Sequence, residues 1–413
     1  MGSLIKHTGT FSVDDRIAGR WHYLPVEVPP GTGALRVTLS YPRDSGTVLD
    51  LGCFDPAGFR GWSGGARDSF VVAELGATPG YLAGPVTAGL WQVVIGLHML
   101  PMEGVRFTVT AESLSAGAAS LGGQLAKWLA APDSPPVPAE RPARRSLPAG
   151  AGLTWLAGDL HAHTFHSDGV MSVAGLAAYA VERGLDFVAV TDHNTVSHHA
   201  LLGPASSRYG VTLLPGQEVT TELGHAGVLG DTGWIDFREP ASSWLSAAEA
   251  AGGLMSVNHP FAGPNSWVHP MPRRPPLLEV WHWSWLDPTW TTPLSWWQAW
   301  DPAAIPVGGS DWHRPGSDAP LGTPTTWVSC TDASVGGVLG GLRAGRVAIS
   351  ASRDGAVLLR DADSLVAVGA DGLVLTGPAG PYKRVSGDLV RLPAAPGYHR
   401  LLTPAGATVA LTP

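Results

Sequence analysis

The sequence predicts a multidomain α/β plus β protein: an N-terminal β-sandwich, an α/β barrel and a small C-terminal β appendage. Three observations carry this expectation. Apolar residues alternate with a period of two from Leu35 to Tyr41 and again from Val105 to Val109. A stretch with six prolines, residues 131–152, then breaks the pattern. Beyond it, short buried apolar runs alternate with helical spacing, as in repeated βα units. A length of 413 residues also calls for two or three domains at about 150 residues each.

In chain order, Leu35, Val37, Leu39 and Tyr41 read as a half-buried antiparallel strand, as do Val105, Phe107 and Val109. Between them, Phe70 to Val72 and Trp91 to Ile95 are short apolar runs separated by turn residues such as Asp55-Pro56 and Pro79-Gly80, the spacing of a sandwich. The loop Gly61 to Gly65 is expected to offer Trp62 for burial against the neighbouring domain. The domains are therefore placed at 1–125 for the sandwich, 126–152 for a Pro-rich linker or strap, 153–333 for the barrel, and 334–413 for a helix and small β domain.

An apolar run ending at Leu160 opens the barrel, and Ser172 is placed to cap a helix through Val173, Leu176, Ala177, Ala180 and Val181 that Gly184 closes. Phe187 to Val190 is a buried strand. Further strand-like runs are Val211 to Leu214, Leu254 to Val257, Leu278 to Val280 and Ile305 to Val307, with helices near Ser243 to Ala251 and Pro293 to Trp300. Such units imply a parallel sheet, closed as a barrel. The tail begins with a short helix, Val338 to Arg343, and continues in strand-like pieces at Val347 to Ser350, Ala356 to Leu359 and Leu373 to Leu375.

Charge and composition exclude several classes. The net charge of −8 and the lack of any basic run leave no footprint for nucleic acid or a polybasic membrane anchor. Cys53 and Cys330 are too few for a disulfide framework or a thiolate zinc site. The opening MGSLIKHTGTFSVDD has no signal-peptide character, and no apolar run approaches the roughly 20 residues of a membrane span. A cytoplasmic protein acting on a small molecule is expected, of undetermined oligomeric state.

The chemistry is concentrated in the barrel, where 11 of the 15 histidines fall between His161 and His313. Each cluster follows an apolar run, placing it where a strand ends, the face on which barrel enzymes build their sites. His161 and His163, at i and i+2, project to one side of a strand, and Asp311 with His313 repeats the device after another strand. Asp168, His193, Glu218, His225 and His259 bring the candidate ligands to nine, all imidazole or carboxylate. That donor set suits two or three divalent ions of Zn, Mn or Fe, rather than Ca or a thiolate cluster. A lone histidine at a strand end is ordinarily structural. Gathered in one pocket without a cation, however, such a set costs several kcal/mol per uncompensated charge, against a whole-protein stability of about 5 to 15 kcal/mol.

The order of these motifs (HxH, SDG, TDHN, a Glu after a strand, GH, NHP and SDxH) resembles the PHP (polymerase and histidinol phosphatase) metallohydrolase domain over about residues 155–330. The run Leu49 to Pro56 with Gly61 to Gly65 is similar to the β-sandwich that precedes this domain in the carbaryl-hydrolase-like (CehA/McbA) branch, which includes a carbamate-ester hydrolase. The resemblance implies a distorted (β/α)7 barrel. It also implies one metal on His161, His163, Glu218 and Asp311, a second sharing Glu218 with His225 and His259, and a third on Asp168, His193 and His313.

Closely spaced metals can bridge a hydroxide and stabilise a developing oxyanion, so no nucleophilic Ser or Cys is needed, and neither a G-x-S-x-G elbow nor a P-loop is found. Asp311, Glu218, His313 and Arg314 are the residues expected at the reacting bond, with His282 a candidate proton donor. The expected activity is a metal-dependent phosphoesterase. The alternatives are a carbamate, carboxylic ester or amide hydrolase, and a non-catalytic metal-binding or scaffold protein. Arg314 and the pair Arg273-Arg274 are candidates to fork onto phosphate oxygens. The crowded tryptophans Trp281, Trp283, Trp285, Trp290, Trp296, Trp297, Trp300 and Trp312 are read chiefly as packing, with an aromatic wall around an apolar leaving group as the other reading.

Overall fold

The structure, a computed structural model, describes residues 3–43, 46–115, 135–138, 140–317 and 319–413. It is a mixed α/β protein rich in strands. The chain divides into two compact units. The first gathers Met1–Asp133 with Phe165–Asp168 and His193–His198; the second holds Ser134–Thr164, Gly169–Asp192 and His199–Pro413. No helix among the described residues is long and apolar enough to cross a membrane.

The first unit has two antiparallel sheets. One orders Leu4–Phe11, Val105–Ser115, Thr32–Ser40, Ser69–Ala73 and Gly76–Ala77 side by side; the other orders Trp21–Val28, Gly89–Met99, Val48–Asp55 and Gly58–Gly64. Leu35, Val37 and Leu39 share one buried core with Leu51, Cys53, Val93 and Ile95 from the other sheet, as period-two alternation requires. Two expectations change. The Gly61 to Gly65 segment is largely strand rather than loop, and Trp62 is buried edge-on against Trp21 of its own unit at 5.4 Å. A short helix, Val13–Ala18, also forms where a Ser12/Asp15 capping box satisfies its first backbone donors.

In the second unit, seven strands lie side by side in chain order: Thr154–Ala162, Phe187–Val190, Thr212–Thr221, Gly224–Leu229, Leu254–Asn258, Leu277–His282 and Ile305–Gly309. Neighbours are parallel, except that Gly224–Leu229 runs antiparallel to both strands beside it. The expected unbroken succession of parallel βα units is interrupted there. The strand expected to stop at Leu214 continues to Thr221, because its pairing passes from Phe187–Val190 to the returning Gly224–Leu229 at Gly216. Just past the seventh strand, Trp312 forms a parallel bridge with Ala162, and His163 N donates to Trp312 O at 2.9 Å. The run thus curls back on its first strand.

Helices form where caps allow. Ser172 Oγ accepts from Gly175 N at 2.9 Å to start Val173–Glu182, and Gly184 follows with a φ of +70°. Ala241–Ala250 and Thr292–Trp300 lie close to the expected helices. His199–Tyr209 was not expected, since Pro204 within it and a mostly polar face weaken its periodicity. Of the Pro-rich segment, residues 126–134 and 139 lie outside the described residues. The rest has no regular structure as far as Gly150 and is tied down by arginines: Arg141 and Arg144 pair with Asp186 at 3.2 and 2.8 Å. At the C-terminus, Val347–Ser350 pairs with both Thr325–Cys330 and Thr408–Thr412, so the tail strands extend the same sheet. Val357–Asp361, Ser364–Val368 and Leu389–Pro393 form a separate three-stranded sheet.

One buried carboxylate ties the first strand to the chain after the seventh. Asp159, fully buried, accepts from His161 N at 3.1 Å, Ser310 N at 3.0 Å, Ser310 Oγ, and Gly322 N at 2.7 Å. Removing it leaves several buried donors without an acceptor, each costing about 1–3 kcal/mol. Asp159→Ala is therefore expected to destabilise the metal-free protein by about 3 kcal/mol or more in urea unfolding. A loss within about 0.5 kcal/mol, the usual span of a surface substitution, would remove this role from Asp159.

Candidate metal centre

Glu218 is the convergence point of the second unit. It sits in the long strand Thr212–Thr221, past the point where pairing turns antiparallel, and its side chain is fully buried. Its Oε1 lies 3.0 Å from His161 Nε2, 3.2 Å from His259 Nε2 and 3.4 Å from His225 Nδ1, and accepts from Asn258 Nδ2 at 3.0 Å. Its Oε2 lies 3.6 Å from His163 Nε2. The hairpin supplies His225, the strand Leu254–Asn258 supplies Asn258 and leads into His259, and the first strand supplies the HxH pair.

Asp311 closes the other side. Its Oδ1 is 3.0 Å from His163 Nε2 and 3.2 Å from His161 Nε2, and its Oδ2 is 3.3 Å from His282 Nε2. His313 stacks on the His163 ring at 4.2 Å, with its Nδ1 bonded to Asp311 O at 2.7 Å. Ligand-bearing atoms of His161, His163, Glu218 and Asp311 lie within 4.8 Å of one another, as do those of His161, His259 and His282.

The donor set fits divalent cations. His161 Nε2 is buried and has no hydrogen-bond partner, although two carboxylate oxygens stand close by. An ion among them satisfies the nitrogen and both oxygens together. The backbone supports the same reading. Of four non-glycine residues with positive φ among the described residues, three lie in these motifs: Asn194, His259 and Asp311, at 54°, 26° and 51°. Such conformations cost of order 1–3 kcal/mol each and persist where the surroundings impose them.

Sequence reasoning does not single out Glu279, whereas it names His282 as a candidate proton donor, and strand alternation alone would not place the two together. Glu279 Oε1 meets His161 Nδ1 at 3.1 Å, and its Oε2 accepts from His259 N at 2.8 Å. His282, three residues on, reaches Asp311. In a regular strand these two would face opposite sides, but a register shift between Glu279 and Trp281 brings both to the cluster. The only sequence signal for Glu279 is an acid near the end of an apolar run.

Asp168 and His193 belong to the first unit, where they pair with each other at 3.6 Å. Arg314 is exposed at the turn closed by Ser317, and no contact joins its guanidinium to the cluster among the described residues. Arg273 forms a two-pronged pair with Glu249 at 2.5 and 2.7 Å, and Arg274 lies over the Trp300 ring at 4.5 Å. Trp281, Trp285, Trp297 and Trp312 are core residues, whereas Trp283, 38% exposed, lies beside the His282 ring at 5.4 Å. Burial pushes the Cys330 thiol up to about 12 and raises that of Cys53 as well, so neither is a ready nucleophile.

No family model matches the chain, and no curated protein matches it. Solved structures do. A two-domain protein from Bacteroides vulgatus containing a predicted PHP-like metal-dependent phosphoesterase is 17% identical, with 66% of this chain and all of that one covered at a TM-score of 0.46. An amidohydrolase from Chromobacterium violaceum, with bound sulfate and no metal, is 16% identical, with 39% of this chain and 89% of that one covered at a TM-score of 0.30. At such scores, likeness alone assigns neither fold nor activity.

The cluster's electrostatics predict how pH acts with and without metal. Burial works against protonation of His161, but Glu218, Asp311 and Glu279 overcome it and raise its pKa well above the ordinary 6.5. His259 is raised likewise, against burial, chiefly by its bond to Glu218. Burial would raise Asp311, yet His161, His163 and His282 hold it well below the ordinary 3.8. In metal-free protein the histidines' contribution is therefore complete below about 6.5 and lost as pH rises through their raised values. That of Asp311 is present above about 3.8 and lost as pH falls through its lowered value. Bound metal displaces those protons, so its stabilisation grows with pH. The difference in Tm between metal-loaded and chelator-treated protein is expected to widen steadily from pH 5.5 to 8.5; a constant difference would contradict this cluster as the metal site.

Proposed function

We propose that the protein is a metal-dependent hydrolase acting on a small ester. The observation that carries this reading is the buried convergence of four imidazoles on the Glu218 carboxylate, with Asp311 opposite and His161 Nε2 lacking a hydrogen-bond partner. His161, His163, Glu218 and Asp311 would hold one divalent ion, and Glu218, His225 and His259 a second. Asp168 and His193 are proposed as ligands of a further ion, with His313 added by the motif order. Bound Zn, Mn or Fe supplies charge for a developing oxyanion and brings the pKa of a water near 7.

The chain's own residues orient and protonate. Glu279 fixes the His161 ring through Nδ1, leaving Nε2 directed inward, the usual arrangement for a ligating imidazole. His282, bonded through Nδ1 to Ser284 Oγ at 2.8 Å, presents Nε2 to Asp311 and can hold or pass a proton there. His282 also has the position of a ligand beside His161 and His259. His282→Ala separates the roles: wild-type metal content with turnover lowered about 100-fold or more supports proton transfer, whereas loss of an ion makes it a ligand.

A phosphoester is the first substrate class to test, because the ions themselves provide the cationic charge it needs. A carbamate or carboxylic ester, as in the carbaryl-hydrolase-like branch, is the second reading. It is favoured by the engagement of Arg273 and Arg274 elsewhere and by the half-exposed Trp283 beside His282. Chromogenic phosphomonoesters, phosphodiesters and aryl esters assayed with Mn or Zn decide between them.

Glu218→Gln and Asp311→Ala are each expected to remove at least one ion by elemental analysis and to lower hydrolysis more than about 100-fold, since even outer-sphere partners of metal ligands are worth about 10–100-fold. Wild-type metal content in both variants would refute the assignment. Full metal binding with no turnover on any ester would instead support a metal-binding scaffold.

A further inference from the structure

The segments Phe165–Asp168 and His193–His198 belong to the same compact unit as the two N-terminal sheets, and within that unit they are held at named points. Arg67 directs both guanidinium prongs onto one of them: Nη1 donates to Ser167 O at 2.9 Å and Nη2 to Phe165 O. These carbonyls flank His166, and Asp168 follows directly. The other segment is held by Gly80, whose N–H donates to Ser197 Oγ at 3.0 Å and whose carbonyl accepts from Thr195 Oγ1 at 2.8 Å. A bond of 2.7 Å between His166 Nδ1 and Ser197 Oγ then joins the segments.

Gly80 cannot readily be replaced. Its φ is +100°, and a Cβ there would stand 2.7 Å from Trp62 O and 3.0 Å from His166 O. The clamp matters because the side chains it carries are not held by burial: Asp168 is 46% and His193 22% exposed, yet they meet at 3.6 Å.

We propose that Arg67 is a positioning residue which, with Gly80, sets the Asp168–His193 pair and thereby governs the affinity of one metal ion only. This rests on reading Asp168 and His193 as ligands. A planar fork onto two carbonyls is something lysine does not reproduce, so even the charge-conserving substitution should loosen the pair.

The test compares Arg67→Lys, Arg67→Ala and Asp168→Ala in the full-length protein, with Arg106→Ala as a control. Bound Mn or Zn is counted by elemental analysis, affinity is read by chelator competition, and Tm is measured alongside. Arg67→Lys is expected to weaken the last-bound ion about 10–100-fold, reduce the count toward that of Asp168→Ala, and recover it in excess metal, while the control is unchanged. Recovery by metal is a response that general loss of structure would not give, and Arg67→Lys keeps the comparison open if Arg67→Ala fails to fold. Should Asp168→Ala lose one ion while Arg67→Lys keeps wild-type count and affinity, the clamp is overturned and the ligand pair stands. Should Asp168→Ala itself keep every ion, the ligand reading fails and the proposal falls with it.

Discussion

A fully buried carboxylate must be balanced, and around Glu218 that requirement organises the second unit. Four imidazoles and an asparagine amide approach its two oxygens from three different stretches of chain. Two of these approaches depend on a departure from a plain parallel run of strands. The hairpin at Thr221 and Gly224 brings His225 back beside Glu218, and the neighbouring antiparallel pairing sets Asn258 opposite His225. Imidazoles and carboxylates in one buried pocket are costly unless protons or cations are shared among them, so the same arrangement that organises the fold also suits a divalent ion.

A second layer keeps the first in place. Glu279 holds His161 by its ring and His259 by its backbone, and Asp159 fastens the HxH strand to the chain that presents Asp311. Both carboxylates are buried and used for positioning. Positive φ at His259 and Asp311 belongs to the same picture, since these conformations are unfavourable in isolation and are imposed by the surrounding bonds. The first unit supplies a comparable frame for Asp168 and His193 through Arg67 on two backbone carbonyls and through a glycine rather than through buried carboxylates.

Much of this was legible from residue order. Period-two alternation marked the strands at Leu35 to Leu39 and Val105 to Val109, and Ser172 and Gly184 bracketed a helix, because these signals are local: side-chain direction, a capping oxygen and a left-handed turn. The HxH pair, Glu218, His259 and Asp311 stood out by type and by position after apolar runs. The helix His199–Tyr209 and the strand Gly224–Leu229 did not, the first because Pro204 and its polar face blur the period, the second because small residues make its apolar run short.

What the sequence determined by itself was the chemistry of the donors: imidazole and carboxylate, no thiolate, gathered at strand ends, in a chain of net charge −8. What only the tertiary structure decided was which of them meet and which neighbours direct them. Glu279 and His282 face one site because a register shift cancels the alternation between them. Arg273, a candidate for substrate, is spent on Glu249, and Trp62 is core rather than loop. Strand registers, bulges and long-range bonds of this kind arise from contacts between residues far apart in sequence, and local pattern carries no record of them.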